Sequence, residues 1–365
     1  MNDDTSRRKS QRRRLTLPEN SVVLKESDLT LIDALAADPR ATWKEIGRAV
    51  DSDATTCARR WKRLEETRLA WLVAQPFSAT GVSSSFIDLS CQPGHAATVG
   101  EQLSALPSVT SAEMVLGDYD LHLTVLQSAE PSTVEVLDRE LAAITGVRRQ
   151  RKQLILRTFK DGSRWRVGAL EKAAYRRIDY DRTTRPIVSR YRPHPLDRRI
   201  IALLLHDVRT PVRTMAERLD GNPTLIKRRI DILRQCGQIA LRVDCARPYL
   251  PLSQSITLWA SVPAPQLSDV GTMLAAEPQT RIVAETLGTE ANLVFSLLVN
   301  QPSEASAVES HLLSQFPQVR VVDRAVGIRY FKRVMHLLGP DGRNAGTTDL
   351  PDTVTSSWQL DQPVG

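Results

Sequence analysis

Cysteine and histidine are scarce in this chain of 365 residues, and their spacing does not match the motifs of disulfide-bonded or metal-binding proteins. The four cysteines, Cys57, Cys91, Cys236 and Cys245, lie far apart and form no C-x-x-C pair. This spacing argues against a disulfide scaffold and against a zinc site. The six histidines form no H-x-x-x-H or H-E-x-x-H group. The sequence therefore indicates neither a metal site nor a metal cofactor.

Long apolar runs are also missing. The longest, such as residues 200–205, fall far short of the ~20 residues that cross a bilayer. The N-terminus is basic but has no apolar stretch behind its charges, which is unlike a secretory signal. These basic residues are Arg7, Arg8, Lys9, Arg12, Arg13 and Arg14. The sequence predicts a cytoplasmic protein with no membrane partner.

Arrangements typical of catalysis are absent as well. The sequence has no glycine-rich phosphate loop and no grouping of a nucleophile, a base and an orienting residue. We therefore expect no enzymatic activity. The formal net charge is +7 at pH 7. A basic excess alone is weak evidence for an anionic partner. Here, however, the basic residues are concentrated in segments that an internal repeat also picks out.

The internal repeat spans most of the chain. Shifting the sequence by 169 positions places residues 28–64 over residues 197–233 without a gap. Asp28 then falls on Asp197, and Arg59-Arg60 falls on Arg228-Arg229. Farther along, residues 157–160 match residues 329–332 at a shift of 172. A repeat of this length can hold complete domains.

Apolar residues recur at helical spacing in two places and predict two triplets of short helices. Ser27 is placed to cap the first helix of the first triplet. Each triplet has a short turn between its second and third helices, as in a helix-turn-helix unit. The segments that follow have the order β-α-β-β-α-β, the ferredoxin-like arrangement. The predicted fold class is α+β, with two winged helix-turn-helix domains, each followed by a ferredoxin-like domain.

Composition sets the boundaries of these units. The predicted order is a disordered basic tail (1–20), a first helix-turn-helix domain (21–74), a first ferredoxin-like domain (75–168), an arginine-rich linker (169–193), a second helix-turn-helix domain (194–248), a second ferredoxin-like domain (249–339) and a disordered tail (340–365).

The third helix of each triplet has the residue types that major-groove contact with double-stranded DNA requires. Such a helix needs small or hydroxylated side chains near its N-terminus and basic side chains farther along. The first copy offers Thr55, Thr56, Arg59, Arg60, Lys62 and Arg63, and the second offers Asn222, Thr224, Lys227, Arg228 and Arg229. The alternative is that these helices have solvated basic faces. Arg60 and Arg229 also lie near the edge of the buried stripe, where an ion pair with an acidic residue of the first helix is an equal alternative.

The two halves carry matching sets of spaced residues. The first half has Leu24-x-x-x-Asp28-x-x-Leu31-Ile32-x-x-Leu35, Asp38-x-Arg40 and Thr55-x-x-x-Arg59-Arg60-x-x-x-Leu64-Glu65. The second half has Leu196-Asp197-x-x-Ile200-Ile201-x-x-Leu204, Asp207-x-Arg209 and Thr224-x-x-x-Arg228-Arg229-Ile230-x-x-Leu233. With these motifs each half resembles the leucine-responsive/AsnC-type (Lrp/AsnC) transcriptional regulators, so that the chain is similar to a tandem-duplicated form. The resemblance covers nearly all of residues 21–335. Arg68 departs from the family, which usually has glycine there, whereas the second copy keeps Gly237.

The resemblance implies that the β-α-β-β-α-β domains dimerise and bind a small effector, often an amino acid or a related metabolite. In the family the effector lies near a Gly-x-Tyr-Asp turn. Gly117, Asp118, Tyr119 and Asp120 match that turn, whereas Gly288, Thr289 and Asn292 belong to a longer turn that departs from it. The alternative for both is a plain hairpin connection, in which glycine and aspartate serve the backbone.

Two functions remain in view from the sequence. The first is a regulator in which the two halves form an intrachain pseudo-dimer, which itself further assembles into a homo-oligomer. The second is an architectural, nucleoid-associated protein that binds DNA broadly, as the arginine-rich segments suggest. Because the third helices differ in sequence, the two halves are expected to prefer different bases.

Overall fold

The computed structural model describes residues 24–76, 82–128, 138–179 and 191–349. Its first unit consists of α1 (Glu26–Ala37), α2 (Trp43–Ala49), α3 (Ala54–Glu66) and β1 (Ala70–Pro76). Thr42 and Glu45 form a capping box at the start of α2, and the Asp53 side chain accepts a hydrogen bond from the Thr56 amide at the start of α3. We call this unit the first head.

The same order of elements returns in the second half. α6 (Leu196–His206), α7 (Val212–Leu219), α8 (Pro223–Gln235) and β6 (Ile239–Cys245) form the second head. Asn222 caps α8 and Pro223 occupies its first position, where a missing amide hydrogen costs nothing. The core of this head is apolar: Ile200, Leu204, Met215, Ile226, Ile230 and Leu233 are all buried.

A sheet-forming segment follows each head. The first contains β2 (Val82–Cys91), α4 (Ala96–Ala105), β3 (Val109–Leu116), β4 (Leu121–Ser128), helical residues 138–142 and β5 (Val147–Lys160). The second contains β7 (Gln254–Ser261), α9 (Leu267–Ala276), β8 (Thr280–Leu287), β9 (Leu293–Val299), α10 (Ser303–Gln315) and β10 (Arg320–Arg333). The described parts of both segments follow the predicted β-α-β-β-α-β order.

The two sheets join edge to edge instead of standing apart. β5 pairs with β8, and β10 pairs with both β3 and β7. The resulting order, β10-β3-β4-β2-β5-β8-β9-β7, closes on itself, so eight strands form one barrel. Closure removes the exposed sheet edges that would otherwise recruit other strands. Both halves of the barrel come from one chain.

The ends of β5 and β10 cross to the opposite half in matching ways. Phe159 of β5 packs on Gly271 of α9, and Phe331 of β10 packs on Gly100 of α4. A side chain at either glycine would overlap the phenylalanine ring, so these contacts require glycine. The halves therefore interlock by equivalent residues, which relates them by an approximate two-fold axis.

The two heads are related by the same approximate two-fold axis. β1 and β6 pair antiparallel with Val73 opposite Arg242, and these two residues are equivalent in the repeat. Arg40 donates to the carbonyl oxygens of Val208 and Thr210, while Arg209 donates to those of Pro39 and Ala41. Each head thus uses its own copy of one arginine to hold a loop of the other.

The structure corrects three expectations. Residues 344–347 form β12, which pairs with β11 (His336–Leu338), where a disordered tail was expected from residue 340. The expected linker contains α5 (Lys172–Ile178), and the Asp33 carboxylate accepts hydrogen bonds from the amides of residues 167, 169 and 170 just before it. Ser27 lies inside α1, whose first turn is instead capped at Lys25. The basic tail, most of the C-terminal tail and linker residues 180–190 lie outside the described residues.

Among the described residues, no helix combines the length and the apolar character that crossing a bilayer requires. In the same part of the chain, no cluster of three or more potential side-chain ligands could hold a metal ion.

The departure at Arg68 leads to a prediction about stability. Arg68 follows α3 with a φ of +59°, nearly the same left-handed conformation as Gly237, at +65°, after α8. A side chain in that conformation costs ~1–2 kcal/mol, part of which is returned by the lower flexibility of the unfolded chain. Arg68→Gly is therefore expected to raise the free energy of unfolding of the first head by about 0.5–1 kcal/mol in urea denaturation. Gly237→Arg is the matched control and should lower the free energy of unfolding of the second head. If both substitutions changed this free energy equally and with the same sign, the expected cost of a side chain in this conformation would be contradicted.

Candidate DNA-binding surface and effector site

α3 divides cleanly into a buried face and an exposed basic face. Cys57, Trp61 and Leu64 pack into the core of the first head. Thr55, Arg59 and Lys62 are exposed on the other side, while Thr56 is half-buried beside the Asp53 cap. Lys62 has one exposed neighbour, Glu66, at 3.7 Å, and such surface pairs contribute little to stability. The exposed face is free to meet phosphates and base edges.

Two other basic residues of α3 are tied to the first helix. Arg63 Nη2 lies 2.6 Å from the carboxylate of Asp28, and Arg60 Nε lies 3.8 Å from it. Asp28 is buried, but the side chain of Arg63 is 47% exposed. The ion-pair alternative raised for Arg60 therefore fits the geometry, whereas Arg63 retains an exposed portion beside the basic face.

α8 presents fewer exposed basic residues than α3. Thr224, Lys227 and Arg228 are exposed. Arg229 is buried, and its Nε and Nη2 donate to the two carboxylate oxygens of Asp197 at 2.8 and 2.6 Å. The expectation that Arg229 contacts DNA is wrong, since its guanidinium is committed to the core of the head. The Asn222 side chain accepts from the Thr224 amide and so serves the helix end.

The two turns that the sequence selected as effector contacts both lie against the opposite half of the barrel. A side chain at Gly117 would lie 2.9 Å from the carbonyl oxygen of Arg324 in β10. A side chain at Gly288 would lie 2.8 Å from the carbonyl oxygen of Lys152 in β5, and Gly288 has a φ of +122°. Both glycines are needed for close approach of two backbones, as their equivalence in the repeat suggests.

Most polar side chains of these turns are engaged. Asp120 accepts from the Cys91 amide at 2.7 Å, and Asn292 bonds both the amide and the carbonyl of Val262. Thr289 accepts from the Gln153 side chain at 2.9 Å. Asp120 and Asn292 therefore fit the plain hairpin alternative.

Asp118 and Tyr119 are placed differently. Asp118 is exposed. The ring of Tyr119 lies under the guanidinium groups of Arg149 and Arg151, at 4.6 and 4.5 Å. These two residues are the ones in the turn best placed to meet a ligand.

A buried polar cluster inside the barrel was missed by the sequence argument. Arg151 bridges Asp88 and Asp323 at 2.8 Å each, and His122 Nδ1 lies 2.6 Å from Asp88. The ring of His122 meets the edge of Trp259 from the other half. Asp88 shares its face of β2 with Ser84 and Phe86, which line the barrel interior, so the alternation along the strand did not single it out. The cluster ties the two halves together by charge as well as by strand pairing.

A cavity of about 140 Å³ lies between the halves on the same side as β1 and β6. Its wall includes Arg242, Arg281, Tyr330 and Glu113, together with hydroxyl side chains from both halves. Burial and the neighbouring Arg247 and Arg242 lower the pKa of Arg281 to about 9. Burial acts to raise the pKa of Asp244, but Arg242 and Arg333 outweigh it and hold this pKa well below its usual range. No sequence pattern marks the residues of this cavity as a site.

Comparison with known proteins identifies two domains in the first half of the chain. Residues 24–65 match the AsnC-type helix-turn-helix domain, and residues 84–165 match the Lrp/AsnC ligand binding domain. An uncharacterised HTH-type transcriptional regulator of Pyrococcus abyssi is 28% identical over 149 residues, which are 39% of this chain and 91% of that protein. A second one, from Pyrococcus horikoshii, is 25% identical over 153 residues, 40% of this chain and 96% of that protein. Both relatives are therefore spanned almost completely by less than half of this chain.

The similarity to solved structures of one protein extends over both halves. The siroheme decarboxylase NirDL aligns with a TM-score of 0.54 at 15% identity, covering 85% of this chain and 93% of that chain. At this identity the similarity concerns the fold alone.

Proposed function

We propose that this chain, which carries an AsnC-type helix-turn-helix domain and an Lrp/AsnC ligand binding domain, is a cytoplasmic transcriptional regulator built as an intrachain pseudo-dimer. In this proposal the second head and second sheet-forming segment are a duplicate of the first regulator unit. The observation that carries it is the approximate two-fold axis, on which β1 pairs with β6 and the reciprocal arginines Arg40 and Arg209 hold the heads together. A two-fold arrangement of recognition helices suits two half-sites on DNA.

The recognition surface is assigned to the exposed side chains of α3 and α8. Thr55, Arg59 and Lys62 act in the first head, with Thr56 and Arg63 at its margin, and Thr224, Lys227 and Arg228 act in the second. Arg60 contributes by positioning α3 through Asp28. Since the two sets differ, the preferred DNA site is asymmetric, which a homodimer of identical chains cannot match.

The barrel is the effector-binding part of this regulator, and its ligand is a small metabolite such as an amino acid. Tyr119 and Asp118 are the turn residues best placed to contact it. We propose no catalytic step for the barrel. Further assembly of the pseudo-dimer into a homo-oligomer is part of the proposal.

Selection from a random DNA library followed by shift assays tests this function. The expected result is an enriched asymmetric sequence whose affinity falls steeply with salt, because each phosphate-bound Lys or Arg releases counterions. Equal affinity for unrelated sequences would instead favour the architectural alternative, and salt-independent or absent binding would contradict both.

A further inference from the structure

Four buried arginines converge beside the barrel cavity, and all four come from the second half. Arg242 and Arg333 are each 3% exposed, and Arg247 and Arg281 are each 7% exposed. Buried cations are costly unless they are paired and hydrogen-bonded. The four buried guanidinium groups therefore need acidic partners or hydrogen-bond acceptors nearby.

The acidic residues nearby are too few to neutralise the four arginines. Asp244 accepts from Arg242 at 2.9 Å and lies 2.9 Å from Arg333, but it is 3.9 Å from Arg281. Within the described part of the chain, Arg242 Nε and both terminal nitrogens of Arg247 are buried without a hydrogen-bond partner. Glu113 adds a second carboxylate at the cavity wall. The cluster keeps an excess of positive charge and of unused donors.

Two of the arginines reach the cavity itself. Arg242 and Arg281 both line it, and they approach each other at Gly162, where a side chain would overlap Arg242 and lie 3.3 Å from Arg281 Nε. Gly162 therefore leaves open the space in which the two guanidinium groups meet. The rest of the wall is rich in hydroxyl groups, from Ser84, Thr110, Thr124, Ser255, Thr257 and Ser296. Guanidinium and hydroxyl donors together suit an oxyanion.

The repeat shows that this arrangement exists in one half only. Arg242 is equivalent to Val73, and Arg281, the second residue of β8, is equivalent to Thr110, the second residue of β3. Arg242 faces Val73 across the two-fold axis. In a homodimer with arginine at this position, the two arginines would face each other across the axis. A single arginine on the axis therefore requires two unequal halves in one chain.

We infer that the barrel cavity binds a small oxyanion metabolite, a carboxylate or a phosphate, with Arg242 and Arg281 as its anchors. This deepens the proposed function, on which it rests, by assigning the effector's charged group to the cavity between the halves, which Asp118 and Tyr119 do not line. The ligand is small, because the cavity of about 140 Å³ is below the ~300 Å³ at which drug-sized sites begin. Glu113 at the wall favours a ligand that also offers a hydrogen-bond donor.

Thermal unfolding of the full chain tests the inference with lactate, acetate and inorganic phosphate, each compared with chloride at the same ionic strength. At least one oxyanion is expected to raise Tm by about 3 °C or more, since a ligand that binds only the folded state stabilises it. The arms separate the two chemistries: lactate and acetate report a carboxylate site, and phosphate reports a phosphate site.

Arg281→Thr and Arg242→Val restore the residues that the first half carries, so each is a matched variant. Both are expected to lose the oxyanion-dependent shift, while Arg320→Ala, an exposed arginine of β10, should keep it. Tm without oxyanion should not fall in Arg281→Thr, because that variant removes a like charge. An equal shift in wild type and Arg281→Thr, or no shift with any oxyanion, would overturn the inference. DNA binding measured without oxyanion in the same variants reports separately on the proposed function.

Discussion

Replacing Asp197 with alanine is expected to lower the free energy of unfolding of the second head by about 3 kcal/mol. Asp197 is 2% exposed and accepts two hydrogen bonds from Arg229, one from the Tyr191 hydroxyl and one from the His194 amide. Its removal leaves the Arg229 guanidinium buried, with the carbonyl oxygen of Arg192 at 3.1 Å as its remaining hydrogen-bond acceptor among the described residues. A buried charge without its partner is the costly outcome. Urea unfolding, with hydrogen exchange of α6 and α8 to localise the effect, measures it.

The equivalent residue of the first head provides the control. Asp28→Ala should cost only about 1 kcal/mol, because Arg63 is already half exposed and can turn into water. The prediction is the ranking of the two variants, Asp197→Ala being the more damaging. If both cost the same, the assignment of Arg229 to the core and of Arg63 to the surface would lose its support.

Replacing Arg59 and Lys62 together with alanine is expected to raise the Kd for the selected DNA about 30-fold or more. Each exposed contact is taken as worth ~1 kcal/mol or more, and every 1.4 kcal/mol is tenfold in affinity. Because two phosphate-binding or base-binding cations are lost, the slope of log K against log salt should fall by about 2. Both side chains are exposed on α3, so folding is not expected to change.

A matched pair of variants checks where this effect comes from. Lys227→Ala with Arg228→Ala removes the exposed basic pair of α8, in which Arg228 is the equivalent of Arg59, and should also weaken binding, but at the other half of the DNA site. Arg320→Ala removes an exposed arginine from the barrel and should leave Kd and the salt slope unchanged. If Arg320→Ala weakened binding as much as the α3 variant, net charge and not the recognition helix would be responsible.

The repeat made much of the fold predictable. Equal spacing of apolar residues in residues 28–64 and 197–233 located both helix triplets, and alternation along the strands gave the β-α-β-β-α-β order. The position of Arg60 and Arg229 near the edge of the buried stripe also raised the ion-pair alternative, which the structure supports for Arg60 and shows directly for Arg229. These are local patterns, in which the relevant residues lie within one unit.

Contacts between the halves were not predictable in the same way. β5 meets β8, and β10 meets β3, across more than a hundred residues of sequence, and no local pattern sets that register. The interior position of Arg281 and the axial position of Arg242 become visible only once the barrel is closed. The roles of neighbouring side chains in one turn could not be predicted either. Asp118 is exposed, whereas Asp120 accepts a hydrogen bond from the Cys91 amide.

Hydroxyl-radical footprinting of the selected DNA tests most directly whether one chain acts as a pseudo-dimer with two DNA-binding heads. The account predicts two protected segments about one helical turn (~10 bp) apart. Loss of one segment is expected in the Arg59→Ala/Lys62→Ala variant, and loss of the other in the Lys227→Ala/Arg228→Ala variant. A single protected segment that depends on α3 alone and is indifferent to α8 would contradict it.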